Sequence, residues 1–595
     1  MNANVSVRPR IYQLLVRTFG NANATRKPHG TIEENGCGKF ADIDEKALVS
    51  LKSMGFTHLW LTGVLEQVST TGYPSRPADH PALVKGRAGS PYAIRDYFDV
   101  SPDYALDPER RLEEFDALLA RCHAHGFRVL IDFVPNHVAR SYASDVRPEW
   151  NFGIDDDTSV FFHRDNHFFY LQPCHPGGGP PLVLPCAVGG DFYQEWQGRA
   201  SGNNVVHWRP GLHDWYETAK LNYGHDFTMN RKTEHLPSAE ADADCVPRTW
   251  RWMDEVISWW QARGVDGFRA DMAHMIPMEF WHWLLRRARD RNEDVFFMAE
   301  AYDNDPAKLT DGHVLDELLR SGFDAVYDDP VYDLLMGLYD EGKWCNDLDA
   351  LTFTGDRFHR SLRYGENHDE VRLANPREWG GLGMAVGRPV CAALFAMGRG
   401  PIMIYHGQEV GEQACGDSGF SGDNARTTIF DYWSLPALCA WRKGGNSDDS
   451  GLTQEQIELR DWYGRLVWLM AEPAFERGDF YGLNFANRDN PTFGRVEGES
   501  VSGHWLYAFL RHDRCSGQVF LVVVNFHPSQ AMKEARVIIP ADALDGWFTS
   551  ARYFCRERLQ GREIGSFTAE DRMGPGWLLP EILPLSAWML EISSC

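Results

Sequence analysis

At 595 residues the chain is too long for one ordinary domain and has room for a large barrel with attached modules. Its 43% hydrophobic and 24% charged residues are the balance of a folded globular protein. The net charge of −25 sets aside nucleic acid and anionic membranes as partners, because both would repel it.

The 12 cysteines form no Cys-x-x-Cys pair and no zinc-spaced Cys/His cluster, so they read as free thiols of a reducing compartment. The first ten residues, Met1 to Arg10, hold no apolar leader core, and no apolar run reaches membrane-spanning length. The expectation is a cytoplasmic protein. Aromatics at 13%, 21 of them Trp, suit a sugar site, since the C–H faces of sugar rings stack on aromatic rings.

In chain order, short apolar runs predict strands at Ile11–Thr18, His58–Leu65, Arg128–Val134, Gly267–Asp271, Phe296–Tyr302, Ala325–Asp328, Arg363–His368 and Ile402–Gly407. Amphipathic patterns between them predict helices, among them Arg110–His125, Trp250–Arg263, Met278–Arg291 and Arg388–Met397. Gly55, Gly126, Gly264 and Gly322 each sit where a helix should stop before the next strand. Eight strands alternating with helices predict an α/β fold, a (β/α)8 TIM barrel, with a doubly wound open sheet as the alternative.

Two stretches break the alternation. Val138–Gly224, with Pro176-Gly-Gly-Gly-Pro-Pro181 inside it, is too long for a plain connection and reads as a lid domain inserted after strand 3. From Phe480 the pattern turns to alternating strands, as in His504–Leu510 and Val519–Asn525, and reads as a C-terminal β-sandwich. The expected domains are a first barrel segment at 1–137, the lid at 138–224, a second barrel segment at 225–479 and the sandwich at 480–595.

Barrel enzymes carry their reactive groups where strands end. Strand three ends in Asp132-Phe-Val-Pro-Asn-His137, the fourth in Gly267-Phe-Arg-Ala-Asp271, the fifth in Met298-Ala-Glu300 and the seventh in Glu366-Asn-His-Asp369. Glycosidic cleavage needs one carboxylate to meet the cationic sugar and one carboxylic acid to protonate the leaving oxygen. Asp271 suits the first task, because Arg269, two residues earlier on a strand, faces the same side and keeps it ionised. Glu300 suits the second, because the apolar run Val295–Ala299 before it predicts a dry setting that raises its pKa. Asp369, His137 and His368 are placed to hold sugar hydroxyls.

These segments resemble, in order, the characteristic regions of the α-amylase family of retaining glycoside hydrolases. Lys220-Leu-Asn222 resembles the extra region near the end of that family's lid, Gly55–Leu61 its second strand and Gly398–Ile402 its last. The similarity spans Arg10 to Asp431. It implies Asp271 as nucleophile, Glu300 as acid/base and Asp369 as transition-state stabiliser. Arg269 would orient Asp271, and His137 and His368 would hold the cleaved sugar. Tyr92 would stack under it, Asp96 would brace the neighbouring arginine and histidine, and Arg372 would stand on the non-reducing side.

The sequence departs from the family at Asp271-Met-Ala-His-Met275. His274 and Met275 stand where starch-degrading members carry a Lys-His pair for the leaving side. No cofactor is required for the chemistry. The resemblance extends to a structural calcium with Asn136 as ligand, the lid ligands staying unassigned among Asp155, Asp156, Asp157, Asp191, Asp214 and Asp226. The expected function is hydrolysis of short α-1,4-linked malto-oligosaccharides through a glycosyl-Asp intermediate. The alternatives are a glucosyl- or maltosyltransferase of the same family and, more remotely, a non-catalytic carbohydrate-binding relative.

Overall fold

The structure is a computed structural model that describes residues 7–172, 181–185, 193–442, 445–544 and 550–594. Pro176–Pro180 of the lid run and Asp191 lie outside the described residues.

Eight parallel strands close into a barrel: β1 (Arg10–Leu15), β2 (His58–Thr62), β3 (Arg128–Phe133), β4 (Gly267–Ala270), β5 (Phe296–Ala299), β6 (Ala325–Tyr327), β7 (Ser361–Tyr364) and β8 (Ile402–Tyr405). Each pairs with its sequence neighbours, and β1 pairs with β8. The closed ring excludes the doubly wound alternative. Helices Glu45–Ser53 (α1), Arg111–Ala124 (α2), Arg248–Arg263 (α3), Met278–Arg291 (α4), Val314–Ser321 (α5), Asp329–Asp340 (α6), Gly387–Met397 (α7) and Gln454–Leu469 (α8) surround it.

The local reasons are visible in α3 and β4. Trp250, Met253, Val256, Ile257 and Trp260 line one face of α3 and are buried, each such side chain contributing about 1.5–3 kcal/mol. The helix stops at Gly264, whose φ of 98° is open to glycine at little cost. At Gly267, which opens β4, a Cβ would lie 2.4 Å from the carbonyl oxygen of Phe296, so only glycine admits β5 this closely.

Several strands are shorter than the apolar runs predict. β4 ends at Ala270, β5 at Ala299 and β7 at Tyr364, so Asp271, Glu300 and Asp369 lie just beyond the ladder.

At the foot of the lid, His137–Ala139 pairs antiparallel with Thr218–Lys220. Leu171, Leu182, Leu184 and Tyr216 of the lid form a small core with Leu83 of the first barrel segment. The C-terminal domain holds a six-stranded antiparallel sheet and a two-stranded one, Arg536–Val537 with Trp577–Leu578. Its central strands, Leu506–Asp513 and Gln518–Asn525, are buried on both faces. Leu506, Ala508, Leu510, Leu521 and Val523 fill the domain's own core. Tyr507, Phe509, Phe520, Val522 and Val524 join the barrel's core. The nine described cysteines are all free, and among the described residues no helix is long and apolar enough to cross a membrane.

Candidate active site

The rim of β3, β4, β5 and β7 converges on Arg269, which is fully buried. Its Nη1 donates to Asp271 Oδ1 at 2.8 Å, its Nη2 lies 2.9 Å from Glu300 Oε2, and Asp132 Oδ1 stands at 3.6 Å. The register explains this: Arg269 is opposite Asp132 on β3 and Met298 on β5, so all three acids reach one guanidinium. The aromatic faces of Trp60, Tyr92 and Tyr327 enclose it at 5.2–5.7 Å.

Arg269 therefore serves both carboxylates rather than Asp271 alone. Asp271 Oδ2 accepts no hydrogen bond. Burial, then the charge of Glu300, push the Asp271 carboxyl well above its usual range, and Arg269 only partly offsets them. Glu300 is buried at 4% exposure, and both its oxygens are hydrogen-bonded. Glu300 Oε2 accepts the Met272 N–H at 2.9 Å, and Oε1 accepts the Tyr302 hydroxyl at 3.2 Å. Met272 adopts a left-handed φ of 47°, and that turn aims its N–H at Glu300.

Asp369 lies beside His368, Nε2 to Oδ2 at 3.0 Å, with 43% of its side chain accessible. Burial raises its carboxyl, but His368, Arg269 and Arg426 outweigh that and bring it down to about 2. The amide of Gln13 donates to His368 Nδ1 at 2.8 Å, so Nε2 carries the ring proton toward Tyr92 and Asp369. Tyr92 stacks on His368 with ring centroids 5.4 Å apart. The Asn136 amide donates to His137 Nδ1 at 3.1 Å in the same manner. Burial, with Lys220 nearby, lowers His137 to about 3, so it is a neutral donor through Nε2.

Tyr92, His137, Asp271, Glu300 and Asp369 line a cavity of about 280 Å³ with Lys85, Ser90, Trp215, Glu217, Thr218, Met272, Tyr302, Ile429 and Phe430, and the fully buried Arg269 and His368 stand behind that lining. A larger hollow of about 570 Å³, between α8 and the C-terminal domain, holds none of the strand-end acids. The lining residues outside the strand ends come from long loops without periodicity, which give no sequence signal of their own. Trp215 and Phe430 carry only the general signal of abundant aromatics.

Three expected binding residues stand elsewhere. Asp96 is fully buried behind the rim, among Glu66, Asp99 and Asp145, and its Oδ1 accepts the Phe98 N–H at 2.8 Å. Burial raises its carboxyl to about 8, and the acid beside Arg269 is Asp132 instead. Arg372 spends its guanidinium on Glu366, the His406 carbonyl and Thr427 Oγ1, at 2.7–3.0 Å, and lines no part of the cavity. It braces the loop after β8. His274 is buried one layer down, bonded to Asp305 at 3.0 Å and edge-on to Tyr302. It supports the wall near Glu300 without reaching the cavity.

The residues at Asn136 do not fit calcium. The Asn136 carbonyl oxygen accepts from the amine of buried Lys220, and its amide donates to the Gly202 carbonyl at 2.8 Å. The Lys220 amine, which burial lowers to about 7, thus donates to the very oxygen a metal would need. Of the described candidates, Asp156 accepts from the N–H groups of His167 and Phe168, Asp157 from Ser159, Asp214 from Gly211 and Asp226 from Thr228, while the Asp155 backbone carbonyl accepts from Arg248. Among the described residues one acidic group, Glu66, Asp96, Asp99 and Asp145, is compact enough for a metal, and Arg111 already reaches Asp99 at 2.5 Å.

A closed parallel barrel with two carboxylates on adjacent strand ends over one arginine defines a (β/α)8 protein equipped for carboxylate-pair chemistry. Comparison with known proteins names the family. Residues 13–461 match the profile of the "Alpha amylase, catalytic domain", and the chain belongs to the α-amylase family of glycoside hydrolases and transglycosylases. It is 24% identical over 455 residues to alpha-amylase MalA of Haloarcula japonica, covering 76% of this chain and 51% of that protein. It is 23% identical to the alpha-1,4-glucan:maltose-1-phosphate maltosyltransferase of Cereibacter sphaeroides, covering 44% of this chain and 33% of that one. The chain thus spans about half or less of these relatives. An alpha-amylase structure from Lactobacillus plantarum shares the fold, with a TM-score of 0.58 at 18% identity and 98% of each chain covered.

Proposed function

We propose that the protein is a retaining α-glucan hydrolase of the reducing cytoplasm, acting on short α-1,4-linked malto-oligosaccharides. The observation that carries this is the shared arginine. Arg269 binds one oxygen of Asp271 and one of Glu300, leaving Asp271 Oδ2 free beside a cavity of about 280 Å³. That volume is just below the usual 300–1,000 Å³ of small-molecule sites and suits a short sugar rather than a long chain.

In this reading Asp271 Oδ2 attacks the anomeric carbon while Glu300 gives its proton to the glycosidic oxygen, and the bond to the leaving sugar breaks. Burial and the crowding of Asp271 against Glu300 favour one proton held within the pair. Glu300, now a carboxylate, takes a proton from water, which attacks the glycosyl-Asp271 ester on the opposite face and restores the α-configuration. Asp369 stays ionised and, with His137 and His368, holds hydroxyls as positive charge develops on the ring.

A second reading, favoured by the maltosyltransferase among the relatives, replaces water with a sugar hydroxyl. A product time course on maltotetraose, isomaltose and soluble starch, read by proton NMR, separates the two. Hydrolysis gives an initial α-anomer with no product longer than the substrate. An initial β-anomer overturns the retaining reading, early longer products favour transfer, and preference for starch over maltotetraose overturns the short-substrate reading.

A further inference from the structure

One wall of the cavity carries two charged side chains that the chemistry above does not use. Lys85, on the segment after β2, and Glu217, at the edge of the lid strand, lie 3.2 Å apart, with 8% and 4% of their side chains exposed. Neither is satisfied by the other. Glu217 Oε2 has no hydrogen-bond partner beyond the ion pair, and Lys85 has three donors for one acid. Buried polar groups left in this state are costly in a fold and are expected where a ligand completes them.

The wall is built rigidly. Gly86 lies so close to the Phe430 carbonyl that a Cβ would come within 2.2 Å of it, and the Ala88 N–H donates to the same oxygen at 3.0 Å. The Ile429 carbonyl accepts Arg17 Nη1 at 2.6 Å. The Glu217 carbonyl accepts the Arg140 N–H at 3.0 Å, and the Lys85 ammonium sits 5.3 Å over the Tyr216 ring.

Its position in the ring gives it a direction. The segments at 85 and 430 follow β2 and β8, the neighbours of β1, and β1 stands across the ring from β5, whose end carries Glu300. The acid/base protonates the departing sugar, so the leaving side is the Glu300 side. The wall therefore faces the other, non-reducing side of the cleaved bond.

Building on the α-glucan reading, we propose that Lys85 and Glu217 form a hydroxyl-binding stop that reads the non-reducing end of the chain, so that the enzyme acts from that end. A terminal sugar hydroxyl accepts from the Lys85 ammonium and donates to Glu217 Oε2 at once. A chain continuing past that point would offer an ether oxygen, which cannot donate, and would collide with the wall. Burial raises the Glu217 carboxyl while Lys85 beside it lowers it, in keeping with a pair held out of water.

The test uses 4-nitrophenyl maltopentaoside with its non-reducing terminal sugar either free or capped as the 4,6-O-ethylidene acetal, followed by loss of the parent compound. The wild type should cleave the free form about a hundredfold faster or more, as expected of a site built to bond a hydroxyl. Lys85→Met and Glu217→Gln, which keep side-chain volume, should lower kcat/KM on the free form about ten- to a hundredfold and bring the free-to-capped ratio toward one. Equal wild-type rates on the two forms would overturn the proposal, as would variants that slow both forms alike. Cleavage of neither form by the wild type would overturn the α-glucan reading on which the proposal rests.

Discussion

The barrel rim and the C-terminal sheet handle burial in opposite ways. At the rim, Asp132, Asp271, Glu300 and Arg269 are all buried, three acids share one arginine, Asp271 Oδ2 goes unpartnered and Met272 is left-handed. In the sheet, Leu506–Asp513 and Gln518–Asn525 place apolar side chains on both faces, one toward the domain's own core and one toward the barrel. Even its buried Arg511 is satisfied, by carbonyls of Ala396, Gly398, Gly478 and Ala474. The rim holds unfavourable contacts that chemistry can use, and the sheet supplies apolar burial that offsets them.

The sharpest way to break this comparison is at the carboxylates. Asp271→Asn and Glu300→Gln should each lower kcat/KM about 10⁴-fold or more while leaving Tm unchanged or higher, because each relieves the crowding of two buried carboxyl groups. A rim acid whose replacement lowered Tm by many degrees would contradict the contrast. Phe520→Ala should do the reverse: about 3–5 kcal/mol of stability lost in denaturant unfolding, with kcat/KM of the folded protein retained.

A smaller effect is expected at Lys220. Lys220→Ala leaves the Asn136 carbonyl oxygen buried without its donor and should cost about 1–3 kcal/mol. EDTA should leave the Tm of the wild type unchanged, and a chelator-induced fall would restore calcium to this site. The smallest effect concerns Asp96, whose folded-state carboxyl is raised to about 8. A raised acid binds its proton more tightly folded than unfolded, so its contribution falls as pH rises from about 4 to 8. Asp96→Asn should therefore stabilise the protein more at pH 8 than at pH 5, the gain growing with each pH unit between them. Equal Tm gains at both pH values would show that the acid cluster is not the cause.

Much of this architecture is legible in the sequence because it rests on local signals. The eight strands are short apolar runs, and Gly55, Gly126, Gly264 and Gly322 all adopt positive φ between a helix and the next strand. Asp271, Glu300 and Asp369 stand out because each directly follows or closes such a run. What is not legible depends on direction and on distant packing. Asp96 lies two positions before Phe98, whose N–H it caps, and that local bond turns it away from Arg269. Arg372 sits three residues after Asp369, yet its guanidinium is claimed by Thr427, 55 positions away. Lys220 is visible in Lys220-Leu-Asn222, but its place on Asn136 needs the pairing of two strands across the lid. Lys85 and Glu217 meet only because the segment after β2 and the lid fold onto one cavity.

The central claim is that Asp271 carries the sugar between the two chemical steps. The most direct measurement is mass spectrometry of the Glu300→Gln variant after reaction with 5-fluoro-α-D-glucosyl fluoride, whose good leaving group needs no acid and whose fluorine slows release. The account predicts one hexosyl-type adduct on the peptide holding Asp271, absent when Asp271 is also changed to Asn. An adduct on another residue, or rapid turnover of the reagent with inversion and no adduct, would contradict it.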